Sequence, residues 1–195
     1  EYICLPRGCK EKLEAGLEIS GIGYDIQDLR QYGKHIAVDF KGRLYTEQES
    51  AAEKMLEYEN GVLGAATAFG KTVVGAYMIA ERKVNTLILV HNREIMMNWI
   101  EDLDKFLDLK DEPPEYKTPS GRIRKRKSAI GKLYSSHDSV TGIIDVVMIS
   151  SLGKPGSISS LVKKYGMVIM DECHHAGASI AMSVLQEVSS RYVYG

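Results

Sequence analysis

The sequence predicts an α/β protein, a parallel sheet flanked by helices on both faces. Three observations predict it. Apolar runs of strand length recur at 86–90, 143–149 and 167–170, continuous rather than alternating, as in strands covered on both sides. Stretches of helical spacing lie between them. The polar or small-residue stretches 64–72, 91–94, 150–152 and 171–175 all follow apolar runs, which gathers them at the carboxyl edge of the sheet, where such folds bind ligands.

Residues 1–43 read as a small β-α-β-β module packed on the rest. A strand is expected at 2–5, and a helix over 10–19 that starts near Pro6 and is broken by Gly21 and Gly23. Two more strands are expected at 24–29 and 35–40, with a turn at 31–34. No cluster in this part suggests chemistry, and His35 reads as a strand or surface histidine. The main domain is expected over 44–195. Thr46 can cap a helix that begins at Glu47, with Glu49 at its third position, and Asn60-Gly61 closes it. Val62-Leu63 is the expected next strand, followed by a loop and a helix to about residue 83. The strand at 86–90 leads into a helix to about 107, whose Met96, Met97 and Trp99 read as core packing. Residues 108–142 read as the least structured part, with Pro113-Pro114, Pro119, Gly121 and a basic run at 122–127. The plain reading of that run is a solvated loop; the sharper one is an element that touches a nucleic-acid backbone. Then come a strand over 143–149, a helix near 158–164, a strand at 167–170, a helix over 180–189 and a last strand at 192–194.

The formal net charge of −1 gives no overall argument for a polyanionic partner, so one must come from local patches. Cys4, Cys9 and Cys173 make no disulfide framework, and a reducing cytoplasm is the expected location. No stretch reaches membrane-spanning length. Glu1 and Gly195 suggest a segment of a longer protein.

The chemistry centres on GVLGAATAFGKT at 61–72. Strand, small-residue loop and helix, with Gly70-Lys71-Thr72 at the junction, suit a bound phosphate. Loop and first-turn N–H groups point at it, the helix dipole favours its charge, and Lys71 neutralises terminal phosphates. Thr72 can ligate Mg²⁺. The alternative is a Gly-Lys pair at an ordinary helix start. Asp171 and Glu172 directly after an apolar run repel each other unless a cation separates their roles. Asp171 is expected to hold Mg²⁺ through its water shell, and Glu172 to orient or deprotonate an attacking water; capping of the next turn is the bland alternative. His174 and His175 are adjacent and lack zinc-ligand spacing, so no zinc is expected. His174 reads as a coupling residue, and Cys173 as a small buried side chain.

Ala65-Ala66-Thr67-Ala68-Phe69-Gly70-Lys71-Thr72 resembles the A-x-T-G-x-G-K-T form of motif I of superfamily 2 helicases, with Ala68 in place of the usual middle glycine. Asp171-Glu172-Cys173-His174 resembles the D-E-x-H form of motif II. Leu89 to Glu94 resembles motif Ia, and Ile149 to Leu152 motif Ib. Gln48 stands where the adenine-reading Gln of that family falls. The flavour is that of the restriction-enzyme-like DEAD/DEAH branch. The resemblance implies a RecA-like P-loop fold over 44–195 that stops before motif III, with the second RecA-like domain and its arginine finger elsewhere in the parent chain. It implies ATP and Mg²⁺ as ligands, held by Gln48, Thr67, Ala68, Phe69, Gly70, Lys71 and Thr72 on the nucleotide side and by Thr72 and Asp171 on the metal side. It implies nucleic acid as partner, DNA before RNA, with Arg93 and Ser151 touching phosphates. A nucleotide-sensing module without catalysis and a P-loop enzyme acting on a small molecule remain the alternatives.

Overall fold

The computed structural model describes residues 7–66, 68–174 and 179–195. The strand expected at 2–5 lies outside them. A 3₁₀ turn at Arg7–Cys9 enters α1 (Lys10–Ile19). Then come β1 (Val38–Phe40), α2 (Thr46–Leu56), β2 (Asn60–Gly61), α3 (Lys71–Arg82), β3 (Thr86–Val90), α4 (Arg93–Phe106) and β4 (Leu107–Leu109). β5 (Glu115–Lys117), β6 (Ile123–Lys125), β7 (Ile130–Tyr134), β8 (His137–Asp138) and β9 (Ile144–Met148) follow. A 3₁₀ turn at Ile149–Ser151, β10 (Gly153–Lys154), β11 (Ser157–Ile158), a second turn at Ser160–Lys163, β12 (Met167–Met170), α5 (Ser179–Glu187) and β13 (Tyr192–Tyr194) complete the described elements.

The main sheet has seven strands in the order β2-β13-β12-β3-β9-β7-β8. Every pairing in it is parallel except β7 with β8. Its centre is apolar on both faces. Ile88, Val90, Val146, Met167 and Ile169 pack beneath α3 and α4, while Leu87, Leu89, Val147, Val168 and Met170 pack toward α5. Period-two alternation between two covered faces is why these strands read as unbroken apolar runs.

Residues 35–40 are knitted into this core. β1 pairs antiparallel with β4, and Ile36 and Val38 are buried with the α3–α4 cluster. Residues 24–29 form no strand, contrary to expectation: Ile26 and Leu29 are exposed, and among the described residues no strand pairs with the segment. α1 forms as expected and buries none of its residues.

Two more boundaries move. The strand before the phosphate loop is Asn60–Gly61, not Val62-Leu63, and the helix before it starts at Thr46, with Tyr45 as the capping position. The helix expected near 158–164 is a hairpin (β10–β11) and a 3₁₀ turn. The larger correction concerns 108–142. This stretch supplies β7, a parallel strand of the main sheet, and the β5–β6 hairpin. Gly131 and Lys132 break the apolar pattern of β7. Gly131 is required there, because a Cβ would collide with the Asp145 carboxylate on the neighbouring β9.

The amino-terminal ends of the strands meet at Asn85, which is buried. Its Oδ1 accepts from the Lys34 and Gly166 amides, and its Nδ2 donates to the Gly142 and Lys164 carbonyls. All four bonding positions of the carboxamide are used.

Candidate nucleotide site and adjoining groove

The phosphate loop ends in two left-handed residues, Ala68 at φ 65° and Gly70 at φ 84°. Gly70 has a second reason to lack a side chain: a Cβ would lie 2.5 Å from Gln48 Nε2. Gln48 is buried. Its Oε1 accepts from the Tyr45 amide at 3.0 Å and its Nε2 donates to the Phe69 carbonyl at 2.7 Å. It therefore ties the start of α2 to the loop. Phe69 packs against the core and anchors the loop from below. Thr67 lies outside the described residues. Lys71 and Thr72 are the first two residues of α3, with the unpaired N–H groups of that helix beside them.

Opposite the loop, β12 ends and Asp171 and Glu172 follow. The Asp171 amide donates to the Leu89 carbonyl at 3.0 Å, which carries the sheet spacing one residue past the strand. Glu172 has φ 52°, a left-handed conformation unusual for a residue with a side chain. That turn brings Glu172 Oε1 within 3.8 Å of Lys71 Nζ, and its Oε2 lies 3.2 Å from His174 Nδ1. Lys71, Glu172 and His174 thus form one chain of charged and polar groups from motif I into motif II. His175 lies outside the described residues. Asp171 is fixed at both oxygens: Oδ2 accepts from the Trp99 indole N–H and Oδ1 from the Glu172 amide, each at 2.8 Å. A cleft of about 250 Å³ opens here, lined by Lys71, Trp99, Asp171, Glu172 and His174 among others.

A second, shallow groove of about 880 Å³ lies along the same edge. Arg93, the first residue of α4, and Ser151 both line it. The Arg93 guanidinium sits 4.9 Å over the Tyr134 ring, and Tyr134 stacks on His137 at 5.0 Å. Ser151 Oγ accepts from the Ser135 amide at 3.0 Å. The two phosphate-contact candidates thus meet across one surface, and the β7–β8 turn joins them there.

Residues 41–195 match the family described as Type III restriction enzyme, res subunit. The chain belongs to this family. It is a superfamily 2 helicase ATPase domain with one RecA-like fold. It is 28% identical over 182 residues to a protein of Acanthamoeba polyphaga mimivirus that carries the name ATP-dependent RNA helicase L396, covering 91% of this chain and 30% of the relative. It is 25% identical over 148 residues to DNA 3'-5' translocase XPB2 of Sulfurisphaera tokodaii, covering 76% of this chain and 29% of the relative. The chain therefore spans less than a third of either. The crystal structure of the UvsW helicase from bacteriophage T4 shares the fold, with a TM-score of 0.64 and 15% identity over 98% of this chain and 70% of that one.

Within this helicase domain, Lys71 of motif I and Asp171, Glu172 and His174 of motif II line one cleft. Trp99 goes beyond its expected packing role. It is buried, but its N–H holds the motif II aspartate across 72 positions of sequence, and no local pattern announces such a contact. Gly75 belongs to the same arrangement: a Cβ in the middle of α3 would lie 2.6 Å from the Trp99 ring. The Tyr134–His137 pair was also missed, because it sits in the stretch read as unstructured.

Proposed function

We propose that this chain is the first of two RecA-like domains of a DNA helicase or translocase, and that ATP hydrolysis moves the parent protein along its track. The observation that carries this reading is the placement of Lys71, Asp171 and Glu172 on one sheet edge with the Arg93–Ser151 groove beside them. Nucleotide chemistry and strand contact then sit on neighbouring loops of one sheet edge. ATP is the substrate, its phosphates against Gly70, Lys71 and Thr72. The residues present suit Mg²⁺, which uses few protein ligands and keeps several waters; Thr72 and Asp171 would hold it. When bound, the ion offsets charge on the β- and γ-phosphates.

Glu172 takes a proton from the attacking water, and its contact with Lys71 is exchanged for one between Lys71 and phosphate. His174 relays the state of Glu172 toward the partner domain. Lys71 stabilises the developing negative charge, and the second RecA-like domain supplies an arginine. Arg93 and Ser151 hold phosphates, which position a strand without reading its sequence. The name of the archaeal relative supports DNA as the track, and that of the mimivirus relative makes RNA the competitor to exclude.

The test is ATP hydrolysis by a longer protein containing both domains, with no polymer, single-stranded DNA, duplex DNA or RNA. Stimulation by DNA that Lys71→Ala and Glu172→Gln each reduce by about a hundredfold or more supports the proposal. A rate indifferent to every polymer overturns it. Stimulation by RNA alone moves the track.

A further inference from the structure

The basic run at 122–127 is absorbed neither by the nucleotide site nor by the groove. It is a built element. β5 and β6 pair antiparallel, with Tyr116 opposite Arg124, Lys117 opposite Ile123 and Glu115 opposite Lys125. The ladder continues at both ends, where the Arg126 amide donates to Pro114 and the Thr118 amide to Arg122. A tight turn closes the tip, with Gly121 at φ 82°. Strand alternation sorts the charges. Arg122, Arg124 and Arg126 share a face with Tyr116, while Lys117, Glu115, Lys125 and Ile123 lie on the other. On that other face Lys125 is paired with Glu112 at 2.6 Å.

The arginine face joins the groove. Arg126 stacks over Tyr116 at 4.3 Å and donates to the Asp138 carbonyl at 3.1 Å. Asp138 directly follows His137, which lines the groove with Tyr134 and Arg93. Contacts therefore run from Arg93 through Tyr134, His137 and the Asp138 backbone to Arg126 and Tyr116, which pairs across the hairpin with Arg124. Arg126 is partly offset by the Asp138 carboxylate at 4.0 Å. Arg122 and Arg124 are exposed and have no side-chain ion pair among the described residues. A merely solvated run has no need of strand pairing, nor of arginines on one face only. Arginine, with its planar fork, is the side chain suited to phosphate.

We propose that the arginine face of the β5–β6 hairpin is a second nucleic-acid contact, which binds the phosphate backbone of the strand lying in the Arg93–Ser151 groove; this rests on the nucleic-acid track proposed above. Arg122 and Arg124 are the phosphate ligands, Arg126 and Tyr116 set the face, and the contact is blind to sequence.

The experiment is fluorescence anisotropy of a labelled oligothymidylate and a labelled mixed-sequence DNA duplex against the 195-residue chain, over a series of salt concentrations. In R122A/R124A, affinity is expected to fall about tenfold at low salt, and the log–log salt slope to shrink by about 1.4 to 1.8, as two lost phosphate contacts require. K117A/K125A removes the same charge from the other face of the same hairpin and is expected to stay within about twofold of the parent. R122K/R124K keeps the charge and is expected to keep most of the affinity. Unchanged binding in R122A/R124A, or an equal loss in K117A/K125A, overturns the hairpin contact alone. An unaltered chain that binds neither probe overturns the DNA track as well.

Discussion

One indole N–H connects the hydrophobic core to the acidic pair of motif II. Trp99 is the only tryptophan in the chain, and its ring fills the space that Gly75 leaves in α3. Glycine inside a helix costs about 1 kcal/mol against alanine, so its presence at 75 marks a close approach that nothing else could make. The indole then fixes one oxygen of Asp171 at 2.8 Å. Trp99→Phe keeps most of the packing and removes only the donor. In the two-domain protein the Mg²⁺ concentration for half-maximal ATP hydrolysis is expected to rise about tenfold, the usual size of such an outer-layer effect. An unchanged Mg²⁺ requirement would return Trp99 to packing alone. Gln48 does comparable work for the loop, since both ends of its carboxamide are committed to backbone.

At the scale of elements, β9 carries a carboxylate where a parallel strand usually has only apolar side chains. Asp145 is buried and accepts from the Thr141 and Gly142 amides, the Thr141 hydroxyl and the Tyr165 hydroxyl. Burial still outweighs these donors and pushes its carboxyl above the ordinary value of 3.8. A carboxyl raised in the folded state favours the native protein most when protonated. Its contribution is therefore fully present below pH 3.8 and declines as pH rises through the folded value. Urea midpoints of the parent and Asp145→Asn, followed up from the acid side, should show the parent losing stability relative to the variant. A parent that instead gains stability on the variant as pH rises would mean that the four donors outweigh burial. The same carboxylate dictates Gly131 on β7, so the pairing of these two strands depends on the room that glycine leaves as well as on apolar area.

For the molecule as a whole, the sheet and the amino-terminal segment are not equally joined. α1 lies outside the core, and Ile19, Ile22, Ile26 and Leu29 are all exposed. From Arg30 on the attachment is firm. Arg30 pairs with Glu59, the Lys34 amide reaches Asn85, and Ile36 and Val38 are buried. A chain over 30–195 is expected to melt within about 3 °C of the whole one, since surface losses are small. A chain over 44–195 loses two buried side chains worth about 1.5–3 kcal/mol each and should melt at least about 6 °C lower. Thermal unfolding by circular dichroism decides it, and equal melting of the two shortened chains would contradict this attachment.

β3, β12 and β13 stand where the periodicity of the sequence placed them, and so does the helix that follows the phosphate loop. Each is encoded by its own residues: an apolar run covered on both faces, or a Gly-Lys-Thr junction at a helix start. Motifs I and II were legible for the same reason, since their chemistry is carried by neighbours in sequence. Val62-Leu63 and the segment at 24–29 look like strands on their own, but pairing needs a partner edge, and the sheet offers that edge to Asn60-Gly61 instead. β7 was hidden because its Gly131 answers to Asp145 on another strand. The Trp99–Asp171 bond, the Asn85 hub and the one-sided arginine face of the hairpin all depend on residues brought together from distant parts of the chain or on which strand pairs with which. The sequence by itself thus determined the fold class, the family and the two motifs that mark it; only the tertiary structure decided what holds those motif residues in place and which side chains line the groove beside them, because local periodicity records a residue's own environment and not the identity of its remote partner.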